Sequence, residues 1–285
     1  MANQISVGEP APGCKKVDPI LVASNVTRQF GGLTAVNVDH LEIPRGQITA
    51  LIGPNGAGKT TMFNLLTGFD KPNTGEWVFD GHNLAGVSSY KVARLGMIRT
   101  FQLTKALSLL TVIDNMRLGD QKNPGEGLLA SFMRPVWKRH EVKITAKADE
   151  LLKRFKLDAK REDYAAALSG GQRKLLEMAR ALMSDPKLVM LDEPMAGVNP
   201  ALTQSLLEHI KGLKENGTTV LFVEHDMHMV RHISDWVIVM AEGKVVAEGP
   251  PAEVMKNPAV IDAYLGAHAN SDLGDVTIGD AKEGN

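Results

Sequence analysis

The sequence predicts an α/β fold made of three parts: a mostly parallel sheet with helices on both faces, a small antiparallel β subdomain and a helical subdomain. The parallel sheet is predicted because strand-like and helical segments alternate over residues 171–247. Strand-like apolar runs within residues 20–43 and at 76–79 predict the β subdomain. A mainly helical pattern over about residues 88–167 predicts the third part.

Size and composition limit the possible functions. The chain has 285 residues, enough for one substantial core or one core and a smaller lobe. Its formal net charge of −1 gives no electrostatic reason to expect a nucleic-acid partner. Cys14 is the only cysteine, which excludes an internal disulfide, and a plain exposed thiol is expected. Because no apolar run approaches the roughly 18 residues that suggest a membrane span, any membrane role is expected from the cytoplasmic side through partners.

The two ends of the chain are predicted to lie outside the folded domain. Residues 1–19 are polar and contain several prolines, which predicts a disordered leader. Residues 267–285 are polar and rich in glycine and acidic residues, which predicts a mobile tail. The folded domain is therefore expected to span residues 20–266.

The first half of this domain contains the two smaller parts. A turn at 44–46 precedes a short apolar strand at 48–52. In the helical region, residues 143–155 form the clearest helix because their apolar side chains recur on one face. The irregular stretch 119–142 is either a surface loop with one short helix or a docking element for a membrane partner.

The second half of the domain is predicted to alternate between helices and strands. Residues 252–265 then predict one or two short helices, interrupted at Pro258. The predicted helices are 171–183, 201–215 and 226–233, and the predicted strands are 188–191, 218–223, 236–240 and 245–247.

A glycine-rich loop joins the strand at 48–52 to a helix and fits the pattern G-x-x-x-x-G-K-[ST] at every fixed position. Its glycines let the backbone approach an anion closely, and the free N–H groups of the helix start point at it. Lys59 is predicted to contact the outer phosphates and Thr60 to ligate Mg²⁺. The sequence therefore predicts a P-loop NTPase core that binds a nucleoside triphosphate. The loop residues are Gly53, Pro54, Asn55, Gly56, Ala57, Gly58, Lys59, Thr60 and Thr61.

Two acidic residues follow the apolar strand at 188–191. Asp192 is placed where it can hold Mg²⁺ through water, and Glu193 where it can polarise the attacking water. An Asp-Glu pair after a strand can also simply begin a loop. Downstream of a complete phosphate loop, the chemical interpretation is favoured.

A second predicted phosphate cradle lies at Ser169, Gly170, Gly171 and Gln172. A serine and two glycines at a helix start present backbone N–H groups and the positive end of the helix dipole. Alone, this pattern could be only a helix cap. Two cradles in one chain make sense if each nucleotide is enclosed between two chains.

In combination, these residues resemble the ATP-binding subunits of ABC transporters, over about residues 20–266. Residues 168–172 match the signature sequence of that family without a substitution. The resemblance implies a RecA-like core with ATP and Mg²⁺ as cofactors. It also implies that Gln102 contacts Mg²⁺ or water and senses the transmembrane partner, that His225 contacts the γ-phosphate, and that adenine stacks on Phe30.

Within this family the closest likeness is to the ATPases of branched-chain amino acid importers. One departure is Asn199, which stands where many ABC ATPases carry an aspartate at the dimer contact, so the contact carries over without its charge. The shared fragments are residues 30–36, 99–102, 196–200, 224–227 and 263–266.

The resemblance implies an ATP-hydrolysing subunit, peripheral on the cytoplasmic face of the cell membrane. Its expected partners are transmembrane permease subunits, a second ATPase chain of the same or another kind and, indirectly, an extracytoplasmic binding protein. An ABC ATPase for urea, other amides or an exported lipid is the alternative inside the class. A non-transport ABC ATPase is disfavoured, since the sequence has neither long heptad repeats nor tandem heads. A P-loop kinase would leave residues 169–172 unexplained.

Overall fold

Two sheets form the centre of the protein, whose computed structural model describes residues 10–100, 107–121, 134–198 and 200–268. The strands in chain order are β1 (Pro19–Phe30), β2 (Leu33–Pro44), β3 (Ile48–Ile52), β4 (Thr74–Phe79), β5 (His82–Asn83), β6 (Met97–Arg99), β7 (Leu188–Asp192), β8 (Thr219–Val223), β9 (Trp236–Ala241) and β10 (Lys244–Gly249). The larger sheet has the order β10-β9-β3-β8-β7-β6, and the smaller one β2-β1-β4-β5.

Helices cover these sheets, and among the described residues no helix is long and apolar enough to cross a membrane. They are α1 (Lys59–Leu66), α2 (Ser89–Arg94), α3 (Val112–Arg117), α4 (Arg134–Arg154), α5 (Gly170–Leu182), α6 (Pro200–Glu215), α7 (Met227–Ile233), α8 (Pro251–Val254) and α9 (Pro258–His268).

The six-stranded sheet is parallel apart from its edge strand β10, which runs antiparallel to β9. All residues of β3 and β8 are buried, as expected for strands covered on both faces. Because the strands are parallel, the residues that follow β3, β7 and β8 emerge at the same edge of the sheet. Ligands of open α/β sheets bind at this edge.

Alternating residues of these strands belong to two cores on opposite faces of the sheet. Ala50 and Phe222 pack with the helices α3 to α7. Leu51 and Met190 pack with α1 and with the inner face of the antiparallel sheet. This alternation, with a period of two residues, explains why one apolar strand serves both layers.

The predicted α/β architecture is confirmed, and the helices and strands predicted between residues 171 and 247 agree with the structure within one or two residues. In the helical region one boundary was wrong and one strand was missed. The helix predicted at 143–155 begins already at residue 134, inside the stretch 119–142 that was predicted to be irregular. The region 88–167 also contains β6, which pairs with β7 at the edge of the parallel sheet. A three-residue strand is too short to give a periodic signal.

The predicted disordered leader, residues 1–19, is wrong for residues 10–19, and β1 already begins at Pro19. The Lys16 ammonium lies 2.6 Å from the Glu248 carboxylate, and both side chains are only 1% exposed. The backbone N–H of Cys14 donates to the same carboxylate, and Cys14 is half-buried instead of plainly exposed. A buried ion pair of this kind requires a partner distant in sequence, so local composition could not predict it.

Candidate nucleotide-binding site

The phosphate loop leaves the carboxyl end of β3 and turns into α1. Gly58 precedes α1 with φ of 95°, and a Cβ there would lie 2.3 Å from the carbonyl oxygen of Ala35. At Gly53, with φ of 149°, a Cβ would lie 2.1 Å from the carbonyl oxygen of Met240. Both positions therefore require glycine. Since Gly58 has no side chain to cap α1, the N–H groups of the first turn can serve an anion.

Lys59 begins α1 and reaches back over the loop. Its Nζ donates to the carbonyl oxygens of Gly53 at 2.7 Å and Pro54 at 2.9 Å. The residue is 7% exposed. Burial lowers the pKa of Lys59, while the carboxylates of Glu193 and Asp192 act in the opposite direction. The ammonium is thus held at the loop, where phosphate oxygens can replace the two carbonyls.

Asp192 ends β7 and is paired with an arginine that sequence reasoning did not assign a role. Arg99, at the end of β6, places Nη2 at 2.6 Å from Oδ2 of Asp192 and Nη1 at 2.6 Å from Oδ1 of Asn64. Both charged side chains are about one-tenth exposed, at 8% and 11%. No local sequence pattern indicates this pair, because β6 has only three residues and pairs with β7 across a long stretch of chain.

Glu193 and His225 form the second polar pair of the site. Nε2 of His225 lies 2.6 Å from Oε1 of Glu193. Glu193 has φ of 47°, in the left-handed region that few non-glycine residues adopt. Such backbone strain is typical of functional positions, where the surrounding structure fixes it.

Glu224 is a buried carboxylate that sequence reasoning also left without a role. It accepts hydrogen bonds from the backbone N–H groups of Met195 at 2.9 Å and His225 at 3.2 Å. Burial raises the pKa of Glu224, and the two backbone hydrogen bonds oppose that shift. Glu224 thus links the turn after β7 to the backbone of His225.

One cavity of about 690 Å³ is lined by residues 55–61 of the phosphate loop, by Glu193 and His225, and by Phe30. Asp192 and Glu224 are not among the residues that line it. Phe30 is 48% exposed, and the guanidinium of Arg28 lies 4.4 Å from its ring centroid. An exposed aromatic ring beside a phosphate cradle can stack on a nucleotide base.

The second predicted cradle is well formed but does not line this cavity. Ser169 caps α5: its hydroxyl accepts from the N–H of Gln172 at 3.2 Å, and the Gln172 side chain accepts from the N–H of Ser169 at 3.0 Å. Ser169 and Gly170 are exposed, whereas Gly171 is buried against Leu202. The structure therefore separates residues 169–172 from the phosphate loop of the same chain.

The C-terminal helix touches the phosphate loop, a contact that sequence reasoning missed. The hydroxyl of Tyr264, on α9, is buried beside the Gly53 backbone. Burial raises the pKa of Tyr264 to about 12, so the phenol is neutral at physiological pH. Two other sequence-based predictions, for Gln102 and Asn199, lie outside the described residues.

The fold and this cavity define an ATP-binding cassette, and comparisons with known proteins agree. A family model described as "ABC transporter" matches residues 36–196, and one described as "Branched-chain amino acid ATP-binding cassette transporter" matches residues 244–270. The chain belongs to the ABC transporter family, and it is an ATPase of that class.

Individual relatives are similar over nearly their whole length. The probable branched-chain amino acid transport ATP-binding protein LivG of Archaeoglobus fulgidus is 41% identical over 87% of this chain and 96% of its own. The high-affinity branched-chain amino acid transport ATP-binding protein BraF of Pseudomonas aeruginosa is 41% identical over 87% of this chain and 98% of its own. A crystal structure of an ATP-binding cassette in its ADP conformation is 35% identical, with a TM-score of 0.76 over 87% of this chain and 99% of that one.

Proposed function

We propose that the chain is the ATP-hydrolysing subunit of an importer for branched-chain amino acids, peripheral on the cytoplasmic face of the cell membrane. The observation that carries the catalytic part is the cavity shared by the phosphate loop, Glu193 and His225. The cargo is supported by the relatives, which are branched-chain amino acid transport ATP-binding proteins, and by the family match at residues 244–270.

In this proposal the backbone N–H groups of residues 55–61 and the ammonium of Lys59 bind the phosphates, Gly53 and Pro54 shape the loop, and Phe30 stacks on adenine. Thr60 and Asp192 would hold Mg²⁺ together with Gln102. The donor set fits, because hydroxyl and carboxylate oxygens suit this hard cation, and Oδ1 of Asp192 receives no hydrogen bond from the described residues. When bound, Mg²⁺ neutralises charge on the phosphate oxygens.

Hydrolysis uses the acidic pair at the end of β7. Glu193 accepts a proton from the attacking water, whose oxygen bonds to the γ-phosphorus as the bond to the bridging oxygen breaks. Nε2 of His225 lies 2.6 Å from Oε1 of Glu193. In this mechanism His225 orients that carboxylate and donates to the γ-phosphate. Lys59 stabilises the charge that develops on the phosphate oxygens.

The assembly follows from the separation of the two cradles. The signature residues of one chain, Ser169, Gly170, Gly171 and Gln172, complete the site of a facing ATPase chain of the same or another kind. Transmembrane permease subunits receive the resulting motion, and an extracytoplasmic binding protein delivers the cargo to them. A transporter for urea, other amides or an exported lipid would use the same ATPase chemistry, so transport itself must be measured.

The test measures uptake of radiolabelled leucine, isoleucine and valine by cells that lack the chain. Wild type should restore uptake and Glu193→Gln should not, because the amide cannot act as a base. Glu253→Gln, at an exposed position on α8, is the matched control and should restore uptake. Urea uptake should be the same in all strains. Unchanged leucine uptake with a loss of urea uptake would contradict the proposed cargo.

A further inference from the structure

Lys174 lies on α5, five residues after Ser169, and its side chain crosses to the segment that follows β7. Its Nζ donates to the carbonyl oxygens of Glu193 at 3.2 Å, Pro194 at 3.0 Å and Ala196 at 2.5 Å. A lysine ammonium has three donors and no acceptor. All three donors are therefore used on one short stretch of backbone, residues 193–198, named here the catalytic turn.

The catalytic turn has an unusual backbone that needs such support. Glu193 and Gly197 both have left-handed φ angles, 47° and 70°. On one side of the turn, the N–H of Met195 donates to the buried Glu224. On the other side of the turn, the Lys174 ammonium donates hydrogen bonds to the carbonyl oxygens. The turn that carries the proposed base is thus fixed from both sides, and loss of Lys174 removes one of them.

Burial lowers the pKa of Lys174, and the carboxylates of Glu224, Glu177 and Glu193 oppose this shift only in part. The three carbonyl oxygens around Nζ suit an ammonium, which has donors and no acceptor. A charged donor makes stronger hydrogen bonds to carbonyls than a neutral one. Replacing Lys174 by an apolar side chain of similar length should therefore remove the hydrogen bonds to the catalytic turn and keep the packing of the side chain.

We propose that Lys174 is a positioning residue that couples the two nucleotide sites of the assembled ATPase pair. This rests on the proposed function, in which residues 169–172 close on the nucleotide of the facing chain. Five residues of helix span about 7.5 Å and form a stiff link between that cradle and Lys174. Closure of the cradle displaces α5, and Lys174 passes the displacement to the backbone of Glu193 in its own site. The expected consequence is positive cooperativity between the sites.

The experiment compares Lys174→Met with wild type in the complete ATPase assembly, by phosphate release at increasing ATP and by equilibrium ATP binding. For Lys174→Met, kcat should fall about tenfold while ATP affinity stays within about twofold. Cooperativity in ATP should disappear, and Lys174→Arg should recover part of both properties. A purely structural role would lower the melting temperature without this pattern.

The matched control is Lys147→Met. Lys147 also donates to a backbone carbonyl near α5, that of Met183 at 2.8 Å, but at the end of the helix away from the signature residues. This control should keep both kcat and cooperativity. If Lys174→Met does not fold, Lys174→Gln provides the same comparison.

Two outcomes separate the possible failures. In the first outcome, ATP turnover is cooperative in the wild type and equally fast and cooperative in Lys174→Met. This would overturn the coupling role and leave the proposed function standing. A wild-type assembly whose sites act independently, at a rate unaffected by protein concentration, would overturn the shared site and the coupling with it.

Discussion

The phosphate loop, residues 53–61, and the signature turn, residues 169–172, are both glycine-bearing turns at a helix start. They are nevertheless built differently. The phosphate loop is packed between β2 and β9, lines a cavity of about 690 Å³ and carries the buried cation of Lys59. The signature turn is exposed at Ser169 and Gly170 and satisfies its first N–H groups with its own capping box. One turn already has the cation and the cavity of an anion site, and the other is exposed and lies outside that cavity.

This difference supports the proposal that each chain carries parts of two sites. The phosphate loop has a cation, a candidate base and a ring within one cavity. None of residues 169–172 lines that cavity. Substitutions at the first turn should therefore damage the site of the same chain, and substitutions at the second should damage the site of its partner.

The largest effect is expected for Lys59→Ala. Loss of the phosphate cation should remove nearly all ATP turnover, to less than about a tenth of the wild-type rate. Steady-state phosphate release measures this. Lys256→Ala, at an exposed position between α8 and α9, is the control and should retain full turnover. A rate above that limit in Lys59→Ala would contradict the assignment of the loop.

Glu193→Gln should abolish hydrolysis but keep nucleotide binding. This variant therefore distinguishes the hydrolysis step from nucleotide binding by the phosphate loop. The amide can still hydrogen-bond with His225 but cannot accept the proton. Equilibrium ATP binding should stay within about twofold of wild type while turnover falls by about 100-fold or more. Unchanged turnover would transfer the role of base to another residue, with His225 the first to examine.

The phosphate loop and the signature turn could be predicted from sequence because their chemistry is local. A strand, a fixed pattern of glycines and a helix lie within about 20 consecutive residues. The ends of β6 and β7, by contrast, bring Arg99 to Asp192 across 93 positions of the chain. The contacts of Lys174, Glu224 and Lys16 likewise depend on how distant elements align. Such partners have no local periodicity, so the sequence could not indicate them.

A smaller effect is expected at His209, remote from both turns. Its ring stacks on Phe155 with centroids 4.2 Å apart and joins α6 to the end of α4. Burial lowers the pKa of His209, the charges of Arg154 and Lys156 lower it further, and Glu208 opposes them. The folded protein therefore favours the neutral ring. This contribution to stability is present above the unfolded pKa of about 6.5 and is lost as the pH falls below it.

His209→Phe keeps a stacked ring and removes that titration. Between pH 7.5 and pH 5, the melting temperature of wild type should fall further than that of the variant, while ATP turnover at neutral pH stays the same in both. Parallel melting curves over this range would show that His209 is not held neutral. A loss of turnover would show that the α4–α6 contact influences the nucleotide site.

The most direct test of the two-turn account mixes two inactive variants, Lys59→Ala and Ser169→Arg. In a mixed pair, one of the two sites combines an intact Lys59 with an intact Ser169. With random pairing of equal amounts, half of the pairs are mixed and each has one intact site. At most about a quarter of the wild-type activity should therefore return, and less if the two sites act cooperatively. Mixing Lys59→Ala with a variant that carries both Lys59→Ala and Ser169→Arg should restore no ATP turnover. If the natural partner is another ATPase chain, the same pairing is made with corresponding substitutions in that chain. Recovery of activity is the predicted result. No recovery in either pairing, with a specific rate independent of protein concentration, would contradict a site shared between chains.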